Sequence, residues 1–476
     1  MAKMSLEESR AERRRRMLED PILKILPVLA IPMIIAMLID SLYNLADTYF
    51  VSQLGKAATA AVGVNDSLMM FMRSIAMGFG MGASSYISRL MGAKKEDEAD
   101  RVAITTLLTS MAALIVFAVI CFIFLDPLAT LLGATESSKP FTMQYASFIF
   151  ISAPFTAGEV CLSQLLRSEG STKYSMIGMV SGCILNVGLD PLCISVFGWG
   201  IAGAAIATSF SKLVSFCILL SPFLAKKTML VLKFKNFTPK ARIYKEVARM
   251  GIPNFLRSSM MSVSSIITNN IAGGFGDSAL AAVSVANKCT RLVGSAIIGF
   301  GQGFQPLSGY CWGAKNYKRV LKAFWQTSAV GAVFSIILGA IMAIFAGTIV
   351  SAFASKDTDI IEIGSLMIRT QCYTMVFHTW VMICNSLFQS IGRGLPATIL
   401  GLSRQVICLI PLVLILPHFF GIYGLCWSQA GADVLSMFIA IPMMLKISKE
   451  LKILGEEEER LQMQNIDPLA EPIEEP

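Results

Sequence analysis

Gly78-Phe79-Gly80-Met81-Gly82 and Gly299-Phe300-Gly301-Gln302-Gly303 stand 221 residues apart, and the match extends well beyond the glycines. Residues 31–94, moved forward by 221, fall without a gap on residues 252–315: Ile31-Pro32 on Ile252-Pro253, Gly55 on Gly276, Ala60-Ala61-Val62 on Ala281-Ala282-Val283, and Gly92-Ala93-Lys94 on Gly313-Ala314-Lys315. The register returns downstream, where Gly200-Ile201-Ala202-Gly203 falls on Gly421-Ile422-Tyr423-Gly424. A period this long marks duplicated domains rather than a short-repeat solenoid. The chain reads as two fused sister halves.

Of its 476 residues 54% are hydrophobic and 15% charged, with a mean hydropathy of +0.64; soluble domains carry roughly a quarter charged residues. Apolar runs of a length that crosses a hydrocarbon core about 30 Å thick recur throughout. Twelve spans are expected, near 23–52, 58–88, 102–125, 142–166, 174–197, 200–222, 251–274, 280–310, 320–350, 364–390, 396–417 and 421–445. Lys and Arg collect at the N-terminus (Arg13, Arg14, Arg15, Arg16) and in alternate loops (Lys94, Lys95; Arg167, Lys173; residues 226–249; Lys315, Lys318, Arg319; Arg393, Arg404). Cytoplasmic loops are enriched in these residues, so both termini are expected inside, in a plasma membrane. Six crossings per half make the halves parallel repeats, a plan that lets one rock against the other.

The expected organisation is a basic cytoplasmic N-terminus (1–22), an N-lobe of helices one to six (23–225), a basic cytoplasmic linker (226–249), a C-lobe of helices seven to twelve (250–446) and a tail (447–476). From Gly455 onward the tail carries the acidic run 456–459 and then Pro468, Pro472 and Pro476. That composition predicts disorder there. The first apolar run leads directly into more of the same, so it is read as an anchor rather than a cleaved signal.

Several function classes recede on composition. The net charge of +8 follows topology, and no basic stripe interleaved with aromatics supports nucleic-acid binding. The eleven Cys are scattered without CxxC pairs and read as small buried hydrophobes. With only His378 and His418, and no HExxH pair, a metalloenzyme lacks its ligands. Each FGxG segment lies inside an apolar run with no preceding strand and no following Lys-Ser/Thr, so close helix packing is the expected role.

Chemistry is concentrated in acids stranded in hydrocarbon. An intramembrane carboxylate costs roughly 2.5–3.5 kcal/mol on insertion scales and usually lines a cavity or ion path. Asp40 lies mid-span, followed by Asn44 and Asp47 at i+4 and i+7 on one stripe; Asn186 and Asp190 share a face of the fifth span. Asp190 and Thr208 each lie nine residues from Trp199 at the outer turn, about 13 Å deep at 1.5 Å per residue, so they are expected to be level. Asp40, Asn186, Asp190 and Thr208 are the expected ion-coupling cluster, the two acids taking Na⁺ or a proton and the neutral oxygens suiting a hard cation. Asn44, Asp47 and Glu159 are further candidates for coupling or for lining the cavity, and Asp66 and Arg73 are expected to neutralise each other along one helix.

At the 221 offset Asp40 falls on Met261 and Asp47 on Thr268, so these acids were not duplicated. The second half offers Met260, Met261, Met375, Phe377 and Phe388 with Asn269, Asn270, Asn385 and Gln389, a mix suited to adaptable contact with apolar ligands. Such a stripe is helix core more often than pocket.

The run from Asp40 through Asp47 to Gly55, residues 78–92, Leu166-Arg167-Ser168-Glu169-Gly170, and Asn186-Val-Gly-Leu-Asp190 followed by residues 200–208 together resemble the multidrug and toxic compound extrusion (MATE) family, its DinF-like and MepA-like branches best. The resemblance covers about 440 residues. It implies an all-α integral membrane protein, twelve helices in two six-helix lobes related by a pseudo-two-fold axis. It also implies secondary active export of organic cations and other amphipathic drugs in exchange for Na⁺ or H⁺, with no cofactor beyond the transported ion and a functional monomer embedded in lipid. The DinF-like ion site matches Asp40, Asn186, Asp190 and Thr208. Branches that add carboxylates in the seventh and tenth helices find only Asn269, Asn270, Asn385 and Gln389 here. The alternative within the superfamily is a lipid or lipid-linked oligosaccharide flippase, which Arg73, Arg257, Lys288 and Arg291 keep open.

Overall fold

The computed structural model describes residues 6–353 and 357–466. A short helix, α1 (Leu6–Glu19), precedes an N-lobe of α2 (Ile22–Ser52), α3 (Lys56–Gly92), α4 (Glu96–Ile123), α5 (Leu125–Leu131), α6 (Lys139–Ile151), α7 (Ala153–Ser168), α8 (Thr172–Pro191) and α9 (Gly200–Leu224). The C-lobe comprises α10 (Ala241–Gly274), α11 (Asp277–Gly313), α12 (Tyr317–Phe353), α13 (Thr358–Ser390), α14 (Gly394–Leu402) and α15 (Ile410–Ile466). Each expected span has its helix. The fourth is the pair α6 and α7, bent by 53° where Ser152 and Pro154 interrupt the ladder. The eleventh and twelfth are joined through α15, which breaks at Gly421 with φ 57°.

Six helical stretches, and the bent pair as a seventh, are long and apolar enough to cross a membrane on composition alone, one of them holding both final spans. The others, α3, α10, α11 and α13, carry more polar and small residues. Three of these four build the contact between the lobes: α3 packs on α10, and α11 packs on α2.

The twin glycine segments make that contact. A Cβ on Gly251 would stand 2.5 Å from the Gly78 carbonyl oxygen, and one on Gly82 would collide with the Val247 backbone. Symmetrically, a Cβ on Gly303 would stand 2.5 Å from Ala30 Cα, and one on Gly299 2.8 Å from Ile34 Cα. Small residues let helices approach in lipid, where hydrophobic association is absent. The duplication also shows in the turns: Gly55 and Gly276 open α3 and α11 with φ 100° and 109°, and Lys94 and Lys315 follow their ends at φ 61° and 60°. One apolar core belongs to each lobe, and a third draws on both at the end carrying the basic loops.

At that end α1 lies across the two lobes. Arg14 donates to the Gly92 carbonyl at 2.8 Å, and Arg319 of the C-lobe donates to the carbonyls of Met17 and Asp20 at 3.1 and 2.5 Å. The linker is ordered too. Glu169, fully buried, accepts the Met229 and Leu230 N–H groups at 2.7 and 3.0 Å, and Asp100 accepts that of Val231 at 2.8 Å. Two boundaries differ from expectation. Residues 241–249 belong to α10 rather than to the linker. The disorder expected from Gly455 does not hold as far as Ile466: α15 continues, its buried Ile447 and Leu451 seating it and Lys318 pairing with Glu459 at 2.5 Å. The remaining tail residues, 467–476, lie outside the described residues.

Candidate functional site

In α8 one helical turn separates Asn186 from Asp190, so both project toward α9. Asn186 bridges its neighbours: with its amide nitrogen toward the carboxylate it donates to Asp190 Oδ2 at 3.0 Å, while its oxygen accepts from the Thr208 hydroxyl at 3.3 Å. All three are at most 2% exposed. Immediately after Asp190 the helix widens into a π turn, Leu192–Val196, a distortion that recurs at functional sites.

Asp47 of α2 completes this group, its carboxyl adjoining that of Asp190. Two carboxyls in contact hold a proton or another cation between them. One oxygen of each, Asp47 Oδ1 and Asp190 Oδ1, is buried with no hydrogen-bond partner among the described residues. Tyr43 and Tyr145, 8% and 1% exposed, wall the pair in. The donor set, two carboxylates with an amide and a hydroxyl, suits a proton or a small hard cation.

Asp40 sits in a separate, adjoining neighbourhood. Its Oδ2 is 2.9 Å from Arg73 Nη2, and its backbone carbonyl accepts from Asn44 at 2.6 Å. Glu159 is buried, pairs with Lys212 of α9 at 2.9 Å and accepts from the Ser215 hydroxyl at 3.1 Å. These two acids and two bases surround Cys183, so this part of the lobe balances its own charge. A small cleft lined by Tyr43, Glu159, Cys183, Asn186, Thr208 and Lys212 joins the neighbourhoods.

The expected foursome therefore divides: Asn186, Asp190 and Thr208 gather around Asp47, while Asp40 is held by Arg73. The Asp66–Arg73 neutralisation gives way to Asp40–Arg73, because α3 turns Arg73 toward α2; Asp66 instead feels Asp47 and Arg291. Lys212, Tyr43 and Tyr145 were not singled out from sequence. For Lys212 a signal existed: a cation in the middle of a short apolar span.

In the C-lobe the proposed ligand stripe separates into core and surface. Met375, Asn385, Phe388 and Gln389 are buried, and Gln389 Nε2 donates to Asn385 Oδ1 at 2.5 Å while Asn385 donates to the Ala397 carbonyl at 3.3 Å. Their polar groups answer one another and α14, so in this structure they pack against protein, as the core reading of the stripe expects. Phe377 lines a cavity of ≈ 210 Å³ with Trp380, Val376 and Met437. Met260 and Asn269 are half-buried, and Met261 and Asn270 are exposed. This lobe also holds a buried acid that sequence reading passed over: Asp433 of α15, 2% exposed, pairs with Arg404 Nε at 2.5 Å and accepts from Thr374 at 3.2 Å.

Comparisons with known proteins follow the same geometry. The multidrug export protein MepA of Staphylococcus aureus (strain MSSA476) is 26% identical over 438 residues, covering 91% of this chain and 96% of that protein. MepA of Staphylococcus saprophyticus is 25% identical over 427 residues, 89% and 94% of the two chains. A solved structure of a multidrug resistance MATE family transporter of the MOP superfamily, in an outward-facing conformation, superposes with a TM-score of 0.88 at 27% identity, covering 92% of this chain and 98% of that one. The MatE sequence model matches twice, at residues 32–192 and 253–415, two segments that begin 221 residues apart. Matched in both sister halves and in the register of its own repeat, the chain belongs to the MatE family.

Proposed function

We propose that this protein is a secondary active multidrug efflux transporter, exporting organic cations and other amphipathic drugs in exchange for Na⁺ or H⁺ by alternating access. It is a transporter and not an enzyme, as are the relatives it matches. One observation carries the reading: the Asp47–Asp190 pair, with Asn186 and Thr208, lies in the N-lobe with Asp47 on α2, the helix that also packs against α11 of the C-lobe.

The mechanical link is α2. Ala30 and Ile34, in its first half, pack against Gly303 and Gly299 of α11, while Asp47, near its far end, reaches Asp190 of α8. Pro27 and Pro32 lie in that first half, where each removes a backbone donor and weakens the ladder. Cation or proton uptake by the pair changes the charge that α2 carries into the lobe, and this biases how α2 sits against the C-lobe. An ion shifts such an equilibrium only by its differential affinity for the two states. Drug and ion therefore favour opposite states. The end bearing α1 and the basic loops is the cytoplasmic one by the charge rule, both termini lie there, the membrane is the plasma membrane, and a single chain supplies the whole site.

The test is dye efflux from proteoliposomes under separately imposed Na⁺ and pH gradients. One gradient drives wild-type transport, and Asp190→Asn abolishes that dependence. Gradient-driven efflux by Asp190→Asn at the wild-type rate would overturn the coupling assignment.

A further inference from the structure

The charge of the C-lobe is of the opposite kind to that of the Asp47–Asp190 site. Arg404, inside the wide π turn Ser403–Leu409, is neutralised by Asp433. Arg257 of α10 is not: among the described residues no carboxylate lies within 4.0 Å of it. Its Nη2 donates to Asn254 Oδ1 at 3.0 Å, which leaves its Nε and the Asn254 Nδ2 buried with no acceptor. Asn254 is 1% exposed. The unmet groups are both donors, and Arg404 and His378 stand near enough to act on the same field.

A buried donor without an acceptor is destabilising, more so when charged, and a cation inside a membrane lobe is a functional site by default. Arg257 lies six residues beyond Gly251, where α10 touches α3, so it stands about 9 Å past that contact at 1.5 Å per residue. Its side chain packs at Gly401 beside Asn385, and it is only half-buried. Arg257 and Asn254, one turn apart on α10 and hydrogen-bonded to each other, hold two unmet donors between them, and a guanidinium is the donor best matched to a planar oxyanion.

We infer that Arg257 and Asn254 form an oxyanion site in the C-lobe, which takes the carboxylate of zwitterionic amphiphilic substrates. This rests on the export reading and assigns residues to the carboxylate end of those of its substrates that carry one. The cationic end of such a molecule faces the acid-bearing N-lobe, its carboxylate Arg257.

The experiment uses the full chain in proteoliposomes and two matched dyes, a rhodamine methyl ester (a cation) and the same rhodamine with a free carboxylate (a zwitterion). Wild type exports both. Arg257→Gln lowers export of the free acid by about tenfold or more, the scale of a lost charge-assisted hydrogen bond, and leaves the ester within about twofold. Arg257→Lys retains part of the free-acid transport. Equal loss of both dyes in Arg257→Gln, or no loss of either, overturns the inference. A lipid phosphate at the site is a third outcome that also overturns it: phosphatidylglycerol would raise the melting temperature of wild type but not of Arg257→Gln, with the dyes undistinguished. Failure of wild type to export even the ester would instead defeat the export reading.

Discussion

Arg73 of α3 holds Asp40 of α2 at 2.9 Å, so the acid most plainly stranded in the first span carries its own counter-ion. Breaking a buried pair by removing one partner costs about 3–5 kcal/mol. Here the Arg73 side chain is 43% exposed, and solvent screening brings the expected cost nearer about 1 kcal/mol. Asp40→Asn should therefore insert and fold and melt slightly lower than wild type; with export resting also on the carboxylate that α2 carries beside the Asp47–Asp190 pair, it should lose drug export. Adding Arg73→Gln removes the unpaired cation and should restore the melting temperature without restoring export. Thermal melts in detergent and dye efflux from cells read the two effects apart; full export by Asp40→Asn would remove this acid from the mechanism.

The buried Glu169 gives the α1 clasp a pH dependence. Its carboxyl is taken out of water entirely, which pushes its pKa above the ordinary 4.5 despite Arg13 and the Met229 and Leu230 N–H groups that favour the charged form. A folded-state pKa above the unfolded value means the folded chain binds more protons. The resulting stabilisation is full below 4.5 and fades as pH rises through the folded value. Glu169→Gln has no proton to gain. Relative to that variant, wild type should become more stable as pH falls from neutral toward 4.5, measured as the difference in melting temperature. A difference that moves the other way would show that pairing with Arg13 outweighs burial.

How far sequence could go is visible in these same residues. The 221-residue offset is a one-dimensional signal and carries the two lobes; apolar run length carries the twelve spans, and the apolar setting of Gly78 and Gly299 carries their packing role, all without coordinates. Asp190 and Thr208 come out level because depth follows from counting residues along two helices joined by a short turn, and Asn186 shares the Asp190 face one helical turn away. Partner choice across helices depends on rotation, which counting does not supply. Asp66 was thus matched to Arg73 along α3, when Asp40 on α2 was nearer, and Asp47 ranked behind Asp40 although it is the one that meets Asp190. The offset also held an unused clue: it places Lys212 on Asp433, opposite charges at one repeat position, each paired within its own lobe. The order of the tail as far as Ile466 escaped because its acidic composition hides the Lys318–Glu459 pair.

The glycines at the lobe contact make the alternation itself testable. A Cβ at Gly82 would meet the Val247 backbone, and one at Gly313 the Arg89 backbone; neither obstacle is a side chain that can swing away. Relief requires α3 and α10, or α3 and α11, to separate, and overpacking of this kind costs about 1–3 kcal/mol. The cost falls only on the state in which the basic ends touch, so the substitution acts as a ligand for the other state; about 1.4 kcal/mol shifts the ratio tenfold. Gly82→Ala should lengthen the distance between spin labels at Arg101 of α4 and Lys322 of α12, both exposed on opposite lobes, and should slow efflux. Gly63→Ala, whose Cβ would meet nothing within 4 Å, is the control and should leave both unchanged. If Gly82→Ala kept the wild-type distance distribution while folding normally, the twin glycines would be packing elements of a rigid unit, and the hinge between the lobes would have to lie elsewhere.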